Sequence, residues 1–282
     1  MPELPEVETM CRGLAPVVGL QIQTVRFPKS HLCDIEMSPS KRVFRRRAEG
    51  RSVTGVRRIG KRVIIDLDSC DSVVFEPRMT GRVLLTEPPD REHVRAVFGF
   101  MEPDVPSLSF WSSRGLSTLH LLTPERLAAV IGPDRLGPDA LQITADQLCE
   151  RLRTSRRPVK VALLDQKVVA GIGNIYASEI LHRARLQPET LCHQISRRSW
   201  RRIQSETVAV LLEAIQAKGS TLRDGNYRTA SDERGGFQDR HRVYGREALP
   251  CLQCGRGFIR RIVQAQRSTY FCPVCQRAPT SS

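Results

Sequence analysis

Two Cys-x2-Cys pairs near the end of the chain constrain its fold more than any other feature. Cys251 and Cys254 form the first pair, Cys272 and Cys275 form the second, and residues 255–271 lie between them. Each pair can bind an ion from a tight turn, and four thiolates complete a tetrahedral site, so we expect one structural Zn2+. A redox pair or an iron–sulfur cluster would use the same residue type, but two such turns at this spacing are most typical of a zinc ribbon.

A ribbon of this length depends on its metal. A segment of about 40 residues is too short to fold on a core of its own, so zinc is expected to supply its folding energy. The other five cysteines are scattered singly, which indicates small buried side chains in a reducing compartment. They are Cys11, Cys33, Cys70, Cys149 and Cys192.

The charge of the chain favours a polyanionic partner. Lys and Arg number 44 against 30 Asp and Glu, which gives a formal net charge of +14. Every basic residue after His241 is an arginine, which suits bidentate recognition of phosphate. A generic basic enzyme with a solvated cationic face is the alternative. No amphipathic segment accompanies the charge, so nucleic acid is favoured over a membrane surface.

The hydropathy of the chain and its first residues indicate its cellular location. No stretch approaches the roughly 20 apolar residues that span a bilayer. The start, MPELPEVE, is acidic and interrupted by proline, unlike a targeting peptide. We therefore expect a soluble cytoplasmic protein that makes no contact with membranes. No oligomerisation element is evident, and a monomer is expected.

The pattern of apolar residues predicts an α+β protein of several domains. Leu4, Val7, Met10 or Cys11, and Leu14 share one helix face. Short β-rich runs from Ile22 to about His120 then predict an antiparallel sandwich or barrel. The polar stretch 221–239 is predicted to be a mobile loop outside any core. Helices are predicted at Thr144–Arg153, Val159–Asp165, Ile175–Ala184 and Trp200–Lys218, the last with Ser199 as N-cap and Gly219 at its end.

The first two residues after Met1 could carry chemistry. If Met1 is removed, Pro2 becomes a secondary amine with a pKa of about 8, low enough to be partly neutral and nucleophilic at pH 7. Glu3 is then a candidate proton donor, and Glu6 follows one helical turn later. A proline at the first position of a helix (N1), with acids that complement the dipole, is a common structural reason for this pattern. The dipeptide alone favours the helix start.

Three motifs that lie far apart in the sequence favour the chemical role of Pro2 and Glu3. MPELPEVE at the start, Gly171-Ile-Gly-Asn-Ile-Tyr-Ala-Ser-Glu in the middle and the paired cysteines at the end resemble the formamidopyrimidine-DNA glycosylase / endonuclease VIII family. The resemblance runs through essentially the whole chain and is closer to the formamidopyrimidine-DNA glycosylase branch. It implies an N-terminal helix with an antiparallel β-sandwich (1–130), a helix–two-turn–helix domain with a lesion loop at 221–239 (131–240) and a C-terminal zinc ribbon (241–282).

The resemblance also implies roles for individual residues. Pro2 would be the Schiff-base nucleophile and Glu3 the proton donor. Lys61 would take part in elimination and contact phosphate, and Arg267 would hold phosphate beside the flipped nucleotide. Asn174 would contact phosphate from the start of a helix. The matching wedge positions, which would fill the gap left by a flipped base, are Met79, Arg114 and Leu116. Further DNA contacts would come from Arg91, His93 and Arg156.

The chain departs from the family pattern at several DNA-probing positions, among them Glu76 and Leu116. Glu76 stands where the family has a phosphate-facing histidine, and its charge would repel DNA unless Arg78 compensates. Leu116 replaces an aromatic wedge residue. Because aromatic stacking on a base is worth about 1–3 kcal/mol, this change can weaken lesion search or opposite-base preference.

The activity that follows is a bifunctional DNA glycosylase and AP lyase. It would flip out and excise oxidised purines (8-oxoguanine and formamidopyrimidines) from double-stranded DNA and then cleave the strand by β/δ-elimination. One alternative is a DNA-damage-binding module that keeps the scaffold with little or no turnover. Another is a glycosylase whose preference has shifted to oxidised pyrimidines or abasic sites.

Overall fold

The protein folds into two compact units, seen in a computed structural model that describes residues 2–29, 31, 34–222, 225 and 227–278. The first unit runs to residue 132 and also includes residues 215–238, and we call it the sandwich unit. The second comprises residues 133–214 and those from 239 onwards, and we call it the ribbon unit.

Two β-sheets form the sandwich unit. Its strands are β1 (Ile22–Arg26), β2 (Glu36–Ser38), β3 (Val53–Ile59), β4 (Arg62–Leu67), β5 (Ser72–Glu76), β6 (Arg82–Leu84), β7 (Val94–Phe100), β8 (Leu108–Trp111) and β9 (Thr118–Leu122). One sheet has the order β1-β7-β8-β6 and the other β2-β9-β5-β4-β3. All pairs are antiparallel except β2 with β9, which is parallel. The predicted antiparallel sandwich is therefore confirmed, with one short parallel pair at its edge.

The first helix, α1 (Leu4–Gly13), packs against β3 and β4. Its predicted apolar face is confirmed, since Leu4, Val7, Met10 and Leu14 are all completely buried. An ion pair strengthens this contact, because Arg58 Nε of β3 donates to Glu8 Oε2 at 3.0 Å. The start of the chain is thus fixed to the β3–β4 hairpin.

Two helices of this unit were not predicted, α2 (Lys41–Ala48) and α3 (Pro124–Ile131). Basic residues fill most of α2, and the side chains that it buries are Phe44 and Ala48, one turn apart. Because so few apolar positions mark its inner face, the periodic signal is weak.

The segment 221–239 differs from its prediction. Tyr227 and Ala230 belong to the main hydrophobic cluster of the sandwich unit, together with residues of α1 and both sheets. The backbone is held as well, since Leu85 N donates to Ala230 O at 3.0 Å. The expectation that this stretch is too polar to enter a core is therefore wrong at these positions, because a few small or aromatic residues suffice to anchor a polar chain. Residues 223, 224 and 226 lie outside the described part.

The ribbon unit combines helices with one β-hairpin. The predicted helices are confirmed to within a few residues, and Thr144 caps the first of them in a capping box with Gln147. The last helix starts before Ser199, and Ser196 Oγ accepts from Ser199 N, so the predicted N-cap is wrong by three residues. The elements are α4 (Ala145–Leu152), α5 (Val159–Leu163), α6 (Asn174–Arg183), α7 (Arg197–Gln216), β10 (Arg260–Gln264) and β11 (Arg267–Phe271).

The single cysteines are only partly as predicted. Cys11 and Cys192 are buried and Cys149 is half-buried. Cys70 is exposed, because it lies in the β4–β5 turn with a φ of 67°. Cys33 lies outside the described residues. In the part of the chain that the structure describes, no helix has the length and apolar character needed to cross a bilayer.

Truncation of Tyr227 tests whether the 221–239 segment is part of the core. Tyr227→Ala is expected to lower the free energy of unfolding by about 3–5 kcal/mol, because it removes a buried aromatic ring. Tyr227→Phe should cost only about 1 kcal/mol, since it loses the hydrogen bond from Tyr227 Oη to Lys218 O. Urea titration measures both, with exposed Ser231→Ala as the control. Equal stability of Tyr227→Ala and Ser231→Ala would contradict the assignment.

Candidate metal centre and nucleic-acid interface

The four paired cysteines meet at one point of the ribbon unit. Their sulfur atoms all lie within 4.8 Å of one another. Cys251 Sγ and Cys275 Sγ are 3.7 Å apart, and Cys254 Sγ and Cys272 Sγ are 3.8 Å apart. Four sulfurs bound tetrahedrally to Zn2+ at about 2.3 Å lie about 3.8 Å from each other. The donor set and its spacing therefore fit the one structural zinc ion that the cysteine pattern predicts.

Backbone groups and a glycine shape this metal centre. Hydrogen bonds from the amides of Gly257 and Arg256 lower the pKa of the Cys254 thiol to about 6, whereas burial raises the pKa of Cys272 and of Cys275. A Cβ at residue 257 would lie 2.7 Å from Cys272 Sγ, so glycine is needed there. His182 Nε2 of α6 lies 3.4 Å from Cys251 Sγ and connects the centre to the helices.

At the start of the sandwich unit, Pro2 and Glu3 are both buried, with Glu3 only 2% exposed. Glu3 is the N-cap of α1 and forms a capping box with Glu6, whose Oε2 accepts from Glu3 N at 2.8 Å. The helix-start interpretation is thus correct for the acids but not for Pro2, which precedes the N-cap instead of occupying the first helical position. It does not compete with the chemical one, because a fixed helix start also holds Pro2 and Glu3 in one place.

Glu6 also binds the chain beyond α7. Its Oε1 accepts from Ser220 N at 2.8 Å, and both atoms are buried. Gly219 makes this approach possible, since its φ is +77° and a Cβ there would lie 2.8 Å from Glu6 Oε1. Glu6 therefore ties the candidate catalytic residues to the 215–238 segment. Lys61 follows Gly60 in the β3–β4 turn, the hairpin on which α1 packs, and is half-buried.

The three wedge candidates lie on two loops that hydrogen bonds hold together. Ser117 Oγ donates to Pro77 O at 2.8 Å, and Arg114 N donates to Thr80 Oγ1 at 3.2 Å. Met79 on one loop and Leu116 on the other are 38% and 52% exposed. Large apolar side chains presented to solvent by braced loops suit insertion into a base stack.

Glu76, the acidic departure in this region, is neutralised by two arginines. Arg62 Nε lies 3.1 Å from Glu76 Oε2, and Arg78 Nε lies 3.5 Å from Glu76 Oε1. The compensation expected of Arg78 is present, and Arg62 adds to it. The carboxylate therefore presents little net negative charge to an approaching phosphate.

Arg91 and His93 are the other two candidate DNA contacts of the sandwich unit, and their side chains differ in exposure. Arg91 is exposed. His93 is half-buried, because Asp90 Oδ1 lies 2.8 Å from His93 Nδ1 and Trp111 packs edge-on at 5.5 Å between ring centroids. Of the two, Arg91 is better placed to meet an anion directly.

In the ribbon unit, the structure brings Asn174 against the β-hairpin that carries Arg267. Asn174 is the first residue of α6, and its Nδ2 donates to Ser268 O at 3.0 Å. Arg267 is exposed and follows the tight turn at Ala265 and Gln266, both with positive φ. A helix N-terminus beside an arginine-bearing turn is a good phosphate site. Arg156, the remaining candidate, is exposed in the loop before α5 and lies apart from Asn174 and Arg267 in the sequence.

Two buried ionisable residues of the ribbon unit escaped the sequence analysis. Glu179 accepts hydrogen bonds from the backbone amides of Arg242, Val243 and Tyr244 at 2.8–3.0 Å. Lys160 donates to Asn174 Oδ1 at 2.6 Å. The sequence did contain a signal for each of them. Glu179 lies inside an apolar helix and Lys160 lies within the run Val-Lys-Val-Ala-Leu, and such residues are rarely buried without a specific partner.

Comparison with known protein families gives three matches along the chain. Residues 1–119 match the formamidopyrimidine-DNA glycosylase N-terminal domain. Residues 131–226 match the formamidopyrimidine-DNA glycosylase H2TH domain, and residues 248–278 match a zinc finger found in FPG and IleRS. The matches follow the order of the predicted domains.

Whole proteins and solved structures agree with these matches. The chain is 39% identical to a formamidopyrimidine-DNA glycosylase from Cereibacter sphaeroides and 38% identical to one from Bacillus subtilis, covering 98% of this chain and 100% and 99% of theirs. The MutM (Fpg) protein of Thermus thermophilus superposes with a TM-score of 0.85 at 37% identity, over 99% of this chain and 100% of the other. Lactococcus lactis Fpg, solved with abasic-site DNA, gives 0.86 at 28% identity, over 98% and 99%.

Replacement of one ligand tests the metal centre. Cys272→Ser is expected to reduce zinc from one ion per chain to nearly none and to unfold the ribbon, because the metal supplies its folding energy. Metal analysis of the purified protein measures the loss. Cys149→Ser, which lies outside the cluster, should keep its zinc. A full zinc content in Cys272→Ser would contradict the ligand assignment.

Proposed function

Because this chain belongs to the formamidopyrimidine-DNA glycosylase family, we propose that it excises oxidised purines from damaged double-stranded DNA in base-excision repair. It is a DNA glycosylase with AP lyase activity, and its substrates are 8-oxoguanine and formamidopyrimidines. The observation that carries the proposal is the buried Pro2–Glu3 pair, fixed by Glu6 at the start of α1. Helix capping accounts for Glu3 and Glu6, but it gives no reason for a buried proline before the N-cap.

The first chemical step uses the amine of Pro2, once Met1 is removed. This secondary amine attacks C1′ of the damaged nucleotide, the base leaves, and an iminium forms between Pro2 and the opened sugar. Glu3 protonates the sugar ring oxygen as the ring opens. Burial excludes water from both groups and strengthens their electrostatic interaction with the substrate.

The second step is strand cleavage. The iminium acidifies the C2′ proton, whose removal expels the 3′ phosphate and then, in a further elimination, the 5′ phosphate. Lys61 and Arg267 assist these eliminations through phosphate contact and proton transfer. Zinc takes no part in the chemistry, since its role is to fold the ribbon that carries Arg267.

Recognition requires the damaged nucleotide to leave the base stack. Met79, Arg114 and Leu116 fill the gap that it leaves, while Asn174, Arg91, His93 and Arg156 hold the backbone. The protein acts as a monomer on the nucleoid of a bacterial cytoplasm. Its functional divisions are a catalytic domain (1–130), a helix–two-turn–helix domain with its lesion loop (131–240) and a zinc ribbon (241–282).

A binding module without turnover is the second candidate, since binding needs the scaffold and its DNA contacts but not the chemistry of Pro2. Borohydride trapping separates the two candidates, because it reduces an iminium to a stable covalent adduct. Adducts on duplexes with 8-oxoguanine opposite cytosine and with an abasic site support the proposal. An adduct on the abasic duplex alone indicates a lyase with a shifted lesion preference. DNA binding without any adduct, with Met1 shown to be absent, supports the binding module.

Pro2→Gly tests the nucleophile. With Met1 removed, glycine leaves a primary amine, and we expect slower adduct formation with DNA affinity kept within about twofold. Single-turnover trapping and fluorescence anisotropy measure the two quantities. Equal trapping rates for Pro2→Gly and the wild type would exclude Pro2 from the mechanism.

Leu116→Phe tests the altered wedge. An aromatic ring at this exposed position can stack on a base, so affinity for an abasic duplex should rise by about tenfold, within the 1–3 kcal/mol range of such stacking. Leu212→Phe, an exposed leucine on α7, is the control and should leave affinity unchanged. Equal effects of the two substitutions would contradict a wedge at Leu116.

A further inference from the structure

A buried lysine joins the two elements that carry the phosphate contacts of the ribbon unit. Lys160, in α5, has no exposed surface, which is rare for this residue type. Its Nζ donates to Asn174 Oδ1 at 2.6 Å, to Thr269 Oγ1 at 2.7 Å and to Ser268 O at 3.0 Å. Hydrogen bonds from a charged donor are stronger than those between neutral groups, so these contacts fix the acceptors firmly.

The acceptors of Lys160 form a connected network. Asn174 also donates from Nδ2 to Ser268 O, which closes a triangle between α5, α6 and the hairpin. Thr269 Oγ1 donates to Gln264 Oε1 at 3.0 Å, and Gln264 pairs with Arg267 across the hairpin turn. One continuous set of hydrogen bonds therefore runs from Lys160 to the residues on both sides of the turn.

This network leaves the amide of Asn174 little freedom to bind DNA by its side chain. Its oxygen accepts from Lys160 and its nitrogen donates to the hairpin. The side chain of Asn174 is thus used to hold the hairpin, and its position at the N-terminus of α6 remains suited to phosphate.

We propose that Lys160 is a positioning residue that sets Asn174 and Arg267 in one geometry, so that both contact the phosphate backbone of the same DNA. This inference rests on the proposed function. We expect the hairpin to keep its zinc without Lys160, but Arg267 must then be ordered when DNA binds. The ordering of a long side chain at that moment reduces affinity.

A double-mutant cycle measures the effect of Lys160 on Arg267. We expect Lys160→Met to raise the Kd for an abasic duplex about tenfold, while exposed Lys167→Met, with the same loss of charge, raises it less than about threefold. Arg267→Ala should cost much less affinity in the Lys160→Met background than in the wild type, because the arginine is no longer held in place. Additive losses, or equal effects of Lys160→Met and Lys167→Met, would overturn the proposal.

A second pair of variants covers the case in which Lys160→Met loses its zinc or fails to fold. Thr269→Val removes the hydroxyl that accepts from Lys160 at nearly constant volume, and Thr269→Ser retains it. Thr269→Val should bind the abasic duplex several-fold more weakly than Thr269→Ser at equal zinc content. Equal affinities would overturn the proposal.

Amide hydrogen exchange without DNA separates this inference from the proposed function. Faster exchange of residues 268–271 in Thr269→Val than in Thr269→Ser supports the positioning network, and equal exchange contradicts it. A wild-type protein that binds abasic and undamaged duplexes equally would contradict the proposed function alone, since the exchange measurement involves no DNA.

Discussion

The carboxylate of Glu6 is the interaction on which the candidate catalytic centre depends. One of its oxygens accepts from the backbone of Glu3 and the other from the backbone of Ser220. A buried carboxylate is costly unless both oxygens are satisfied, so the two contacts stabilise each other. Loss of the contact between Glu6 and Glu3 would release the start of α1 from a defined position, and an effective nucleophile needs its geometry fixed to within a fraction of an ångström.

The ribbon unit uses buried ionisable residues in the same way. Glu179 accepts hydrogen bonds from three backbone amides just before the paired cysteines, and Lys160 donates hydrogen bonds to oxygens of α6 and β11. In each case a charged side chain from a helix holds irregular backbone or a hairpin, because such segments lack enough regular hydrogen bonds of their own. The phosphate-binding surfaces are thus ordered by polar contacts from within as well as by the zinc that folds the ribbon.

The sequence predicted the parts of this protein that have strong local signals. The paired cysteines, the apolar face of α1 and the helices of the ribbon unit follow from spacing and periodicity, and the structure confirms them. The sequence did not predict α2, because only two of its positions are buried and most of the others are basic. It also did not predict the burial of Tyr227 and Ala230, which depends on contacts with residues distant in sequence. For the same reason, Glu6 could be identified as a nearby acid but not as the partner of Ser220. The individual catalytic and DNA-binding roles stay predictions.

The position of Tyr227 and Ala230 in the first hydrophobic core has a consequence for synthesis of the chain. That core begins with α1 and is completed by residues made more than 200 positions later. A nascent chain that has emerged only as far as residue 132 lacks this part of its interior and exposes apolar surface on α1 and the sheets. Since translation adds about 5–20 residues per second, the interval lasts roughly 5–20 s, during which chaperones or early aggregation would compete for the incomplete unit.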